Sequence, residues 1–137
     1  MEISKFVNIT FVNYNNLYIV KLVVNHSVPT SLQWIFFTSE LKNIISDLKN
    51  KNIKFGFLFD IKNLGMISLT YIKEFTEIMT SNSVVLEQNL YATSAIAEGV
   101  VIKYIFEIIN RIYTTKKPLN IFNNETDALK FIEENKY

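Results

Sequence analysis

A chain of 137 residues, 49% hydrophobic and 20% charged, has the length of one domain, is too apolar for a disordered tail, and is slightly rich in apolar residues for a soluble monomer. Its 14 basic side chains nearly cancel its 13 acidic ones, thirteen of the 14 are Lys, and no block of like charge occurs, which argues against nucleic acid as a partner because phosphates are held by clustered cations. The absence of Cys and the presence of a single His exclude disulfides, thiol catalysis, thiolate zinc sites and multi-histidine metal centres.

Met1-Glu2-Ile3-Ser4-Lys5 has neither the basic start nor the apolar run of a secretory signal. No stretch reaches the ~18 uninterrupted apolar residues of a membrane span, so a cytoplasmic location is the default expectation. Phe6 to Val12 alternates around Asn8 and Thr10, Leu17 to Val24 is rich in β-branched and aromatic residues, and Asn13-Tyr14-Asn15-Asn16 lies between them. That pattern predicts a β-hairpin. Val28-Pro29-Thr30-Ser31 then opens a helix, since Pro suits a first turn and Thr or Ser suits a cap. Leu41, Ile44, Ile45 and Leu48 continue it at helical spacing to the polar run Lys49-Asn50-Lys51-Asn52. The spacing leaves open whether Trp34-Ile35-Phe36-Phe37 belongs to this helix or precedes it.

Ile53 to Phe59 reads as a buried central strand that delivers Asp60 to its C-terminal end, where open α/β sheets expose a ligand crevice. Ser68 is placed to cap a helix through Met79, with Ile72, Phe75 and Met79 on its buried face, and Ser81-Asn82-Ser83 breaks it. Val84 to Ala97 holds a strand centred on Tyr91 to Ile96. Gly99 to Tyr113 is the strongest helix, stopped by Lys116-Lys117-Pro118. Leu119 to Phe122 forms a short last strand, and Asn123 or Asn124 caps a final helix with Ala128, Leu129, Phe131 and Ile132 inward. The order ββαβαβαβα predicts a single α/β domain whose mixed, largely parallel sheet has about five strands, an N-terminal hairpin and about four helices.

Three landmarks resemble the STAS family, the small α/β domains of sulfate transporters and anti-sigma factor antagonists. The strand ending Phe59-Asp60-Ile61, followed by Leu64 and Ile67, resembles the family's strand and the loop that leads to a hydroxyl-bearing helix start, here Ser68-Leu69-Thr70-Tyr71. The ending Pro118 to Ile132 resembles the family's closing strand, turn and helix. Ala95-Ile96-Ala97 before a long apolar helix resembles the STAS-like group that shares features with CRAL-TRIO lipid-binding domains. The resemblance implies contacts around Asp60, Ser68 and Thr70. It also marks a departure: Leu69 stands where signalling members carry the phosphoacceptor hydroxyl, and Tyr71 where they carry a small residue.

Each site residue has a plainer role open to it. Asp60 fits a turn acceptor better than a chemical group, and Ser68 fits a helix cap better than a nucleophile. His26, Asp60 and Ser68 supply the residue types of a hydrolytic triad, but Ser68 lacks the glycine-flanked elbow of α/β-hydrolases. Gly56, Gly65 and Gly99 form no phosphate-binding loop. The helix after Gly99 places Lys103, Glu107, Asn110, Arg111 and Thr114 on one side and leaves an apolar arc wider than one sheet contact needs. Ile105 and Ile109 sit at its centre, with Tyr104, Ile108, Phe106 and Tyr113 on the flanks. Those flanks are covered either by a partner or by neighbouring helices. No metal or cofactor is expected. The expected function is a non-enzymatic STAS-like regulatory or protein-interaction domain that engages a protein partner or a second copy. The alternative is a carrier or sensor of a lipid or other apolar small molecule.

Overall fold

The computed structural model describes residues 4–112 and 117–136. Two strands, β1 (Val7–Tyr14) and β2 (Leu17–Val24), form the expected antiparallel hairpin with Tyr14 opposite Leu17. Only Asn15 and Asn16 make the turn, both with positive φ (49° and 69°), the conformation that a two-residue hairpin turn demands and that Asn tolerates better than other side-chain-bearing residues. The Asn13 side chain secures it by accepting the Asn16 N–H at 3.1 Å.

Helix α1 (Ser31–Lys51) includes Trp34 to Phe37, which settles the segment that spacing left open. Thr30 and Gln33 form a reciprocal capping box at its start, and Asn52 closes it in the left-handed conformation. The chain then runs through β3 (Phe55–Asp60), α2 (Leu69–Ser81), α3 (Ser83–Asn89), β4 (Leu90–Ile96), α4 (Val100–Ile112), β5 (Leu119–Phe122) and α5 (Glu125–Glu134). The described residues therefore hold five helices rather than about four. The addition is α3, where Val84 to Asn89 was expected to lead into a strand. Val84-Val85-Leu86 has strand-like composition, but Val85, Leu86 and Asn89 recur at helical spacing and are buried. Asn89 donates to the Asn52 side chain and the Ile53 carbonyl, both at 3.1 Å, tying the start of β4 to the end of α1.

The strands lie in sequence order, β1-β2-β3-β4-β5, parallel from β2 onward. Right-handed crossovers in such an order send each connecting helix to the same face. Trp34, Phe37, Leu41, Ile45 and Leu48 of α1, Ile78 and Met79 of α2, Val85 and Leu86 of α3, and Ile102 of α4 accordingly join one core with Val20, Leu22, Phe55, Phe57 and Ala95 of the sheet. The opposite face is left to α5, whose Ala128 and Ile132 pack on Leu17, Ile19, Leu58, Ala92 and Ile96. Buried Ser94 on β4 donates to the Ala128 carbonyl at 2.7 Å, and Lys21 pairs with Glu125 at 2.8 Å, fixing α5 over the middle strands. No described helix is long and apolar enough to cross a membrane.

Candidate functional site

Three places on this frame could carry function: the loop after β3, the space beneath α2 and α4, and the outer edge at β1. The loop is anchored on both sides. Ile61 donates to the Ile96 carbonyl at 2.9 Å and Gly65 to the Ser27 carbonyl at 2.8 Å, while Ser27 Cβ stands 3.0 Å from where a Gly65 side chain would begin. Asp60 is largely buried at its carboxylate, which accepts the Lys62 N–H at 3.4 Å and lies 3.8 Å from Lys62 Nζ. Ser68 caps α2 as expected, accepting the Tyr71 N–H at 3.2 Å. Leu69 and Thr70 are exposed on the first turn. His26 is hydrogen-bonded to Ser4 Oγ at 2.8 Å, so His26, Asp60 and Ser68 each have a different partner and are not joined as a triad. Among the described residues no group of three or more His, Asp or Glu could hold a metal ion.

Tyr71, the departure from the STAS pattern, has a packing reason. Its ring stacks on Trp34 with centroids 4.5 Å apart, and Trp34 Nε1 donates to Glu74 at 2.5 Å. A small residue there would unclasp α1 from α2. The Asp60 geometry also sets an expected outcome in urea melts: Asp60→Ala loses about 1 kcal/mol by stripping a turn acceptor, whereas Asp60→Asn keeps the acceptor and loses less than half of that. Equal, negligible losses for both would contradict this role.

Beneath the anchored loop lies a cavity of about 150 Å³. Its floor is Leu22, Val24, Phe57, Phe59, Thr93 and Ala95 on the sheet. Ile61, Leu64 and Ile67 of the loop roof it at one end, and its helical side is lined by Ile72, Phe75, Thr76 and Met79 of α2 and Ile105, Phe106 and Ile109 of α4, together with Trp34 and Phe37 of α1 and Leu86 of α3. Among the described residues of the wall, Thr76 and Thr93 carry the only hydroxyls, and the Thr76 hydroxyl donates to the Lys73 carbonyl at 2.8 Å. The void arises because β4 presents small side chains, Thr93 and Ala95, opposite helices spaced by Phe and Met. The sequence signal for it is the small-residue run Ala92-Thr93-Ser94-Ala95 in a central strand, which sequence reasoning did not use.

The cavity also bears on the flanks of α4, which the sequence left open between a partner and internal cover. Phe106 is half-buried, packed against the main core and part of the cavity wall, so its side of the arc is covered from within by α2. Ile105 is buried as expected at 4% exposure, Ile108 is half-buried, and Tyr104 is exposed at 48%. Tyr113 lies outside the described residues.

The third place was not singled out from sequence. Leu32, Ile35 and Phe36 form an i, i+3, i+4 ridge on the outside of α1, each about half exposed or more. Phe36 shares an open groove with Ile9, Phe11 and Ile44 beside β1. Phe11 is 51% exposed and stacks on Tyr18. β1 itself is an edge strand of eight residues without a charge or a proline. Since Phe6 accepts the Asn25 N–H at 2.8 Å, the alternation of an antiparallel ladder turns the N–H and C=O groups of Val7, Ile9, Phe11 and Asn13 outward. The readable signal was Ile35-Phe36-Phe37, an apolar run longer than one buried helix face requires.

No protein-family model and no curated protein matches the chain. Among solved structures it is similar to an uncharacterised protein of the DUF3478 family from Shewanella loihica PV-4, described as having a SpoIIAA-like fold. The TM-score is 0.69, and the match covers 96% of this chain and 98% of that one at 15% sequence identity. The likeness shows the fold: the chain has a SpoIIAA-like, that is STAS-like, α/β architecture over nearly its whole length.

Proposed function

We propose that the chain is a non-enzymatic, cytoplasmic STAS-like interaction domain of the regulatory, anti-sigma-factor-antagonist type, and that it pairs with a second copy of itself through β1. The supporting observation is an uncharged edge strand beside which the exposed Phe36 of α1 shares an open groove with Ile9 and Phe11. Natural edge strands are blunted by charges, prolines, bulges or cover, and β1 has no charge or proline and an open groove beside it. Antiparallel pairing of two β1 strands about a twofold axis is self-complementary, opposes no like charges along Val7–Tyr14, and brings both apolar ridges to the same side of one continuous sheet.

Light scattering tests this. The wild type is expected at twice its 16.0 kDa mass, whereas Phe36→Glu and Phe11→Lys, which alter exposed side chains, remain folded by circular dichroism and fall to monomer mass. Wild type that stays monomeric at high concentration, or variants that associate like wild type, would overturn the proposal.

A further inference from the structure

We propose that the cavity between the sheet and helices α2 and α4 is a binding site for a small, neutral, hydrocarbon-like molecule, of the size of a monocyclic aromatic or a short branched alkyl group. This goes beyond the pairing of β1 edges and does not depend on it. The size follows from the volume, about 150 Å³. Apolar cavities of about that size elsewhere stay dry and accept benzene or xenon, while pockets for drug-sized ligands begin near 300 Å³.

The polarity follows from the wall. Among the described residues of the wall, Thr76 and Thr93 carry the only hydroxyls, the Thr76 hydroxyl is engaged by the Lys73 carbonyl, and the Trp34 indole N–H is engaged by Glu74. A carboxylate or ammonium placed there would be desolvated without a charged partner, so only a neutral, apolar occupant is stabilised. Leu64 and Ile67 of the roof alternate with Met66 and Leu69, which are 60% and 49% exposed. An occupant that props the two roof residues thereby fixes the exposed face of the Asp60–Ser68 loop. The site is thus built to report a small apolar molecule at the surface where this fold offers its helix start.

The test uses the full chain with benzene as probe, sodium benzoate as its charged counterpart, and wall variants that consume the space. Benzene at about ten times its Kd is expected to raise Tm by about 5 °C and to give intermolecular nuclear Overhauser effects to methyl groups of Ile72, Met79 and Ile105. Benzoate should do neither. Ala95→Leu and, independently, Thr93→Leu fill the void from β4, so whichever of them folds should lose the benzene response while keeping a Tm at or above that of the unliganded wild type. The proposal is overturned by an unmoved Tm with no Overhauser contacts, by a benzoate response equal to that of benzene, or by a filled variant that responds like wild type. Failure of both filling variants to fold leaves the Overhauser contacts in wild type to decide the matter alone.

Discussion

Gly56→Val is expected to cost more than about 3 kcal/mol and to leave little folded protein at 37 °C. Glycine inside a strand ordinarily weakens it by roughly 0.5–1 kcal/mol relative to Ala, so replacement at most strand positions would help. Here the sign reverses. A Cβ on Gly56 would overlap Ile132 Cγ2 and approach Ile19 Cδ1 to 3.3 Å. Ile132 is fully buried, branched at Cβ, and held in the helix whose Ala128 carbonyl accepts from Ser94. It has no free side to turn toward, so relief requires lifting α5 from β3. Gly56→Ala should already lower the urea midpoint, and Gly56→Val should lower it further. A Gly56→Ala protein as stable as wild type would mean that α5 does not depend on this notch.

Ile105→Glu should be the most damaging change on α4, collapsing near-ultraviolet circular dichroism at 25 °C. Ile105 is 4% exposed and faces the apolar cavity, where a carboxylate finds no cation and must be protonated or drag water in, at several kcal/mol. Tyr104→Glu one position earlier falls on the outer side, 48% exposed, and should stay within about 0.5 kcal/mol of wild type. The pair isolates burial from helix propensity, because Glu is a good helix former at both positions. Similar stabilities for the two variants would refute the described orientation of α4.

The contrast between those neighbours was readable from the sequence, and its limits have physical causes. The period of α4 placed Ile105 inward and Tyr104 on a flank, because a helix on a sheet buries a predictable arc. Periodicity has no term for what lies across the flank, so Phe106 was read as facing either a partner or an internal neighbour when it faces α2 and the cavity. Capping chemistry is local, and for that reason the cap at Ser68 was legible outright and those at Thr30 and Asn124 to within one neighbouring residue. The segment Val84 to Asn89 misled because β-branched composition and short length do not distinguish two helical turns from a strand, and tertiary contacts of Asn89 with the end of α1 decided it. Asp60 was correctly placed at the end of the central strand. The edge groove and the cavity were invisible because both depend on which strand lies outermost and which side chains stand opposite small residues, neither of which any single segment encodes.

The consecutive strand order has a further consequence, for how the chain assembles. Among the described residues each strand hydrogen-bonds only to those adjacent to it in sequence, so each pairing closes no loop longer than the crossover that precedes it. The entropy lost on loop closure grows with the logarithm of loop length, and an order that interleaved distant strands would add the longer closures this one avoids. The hairpin, closed by two asparagines, is the cheapest nucleus and already presents β2 as a template for β3. Helix α5 follows the last strand in sequence, so the Leu17, Ile19 and Leu58 face of the sheet gains its cover from the ten helical residues made after every strand it packs on.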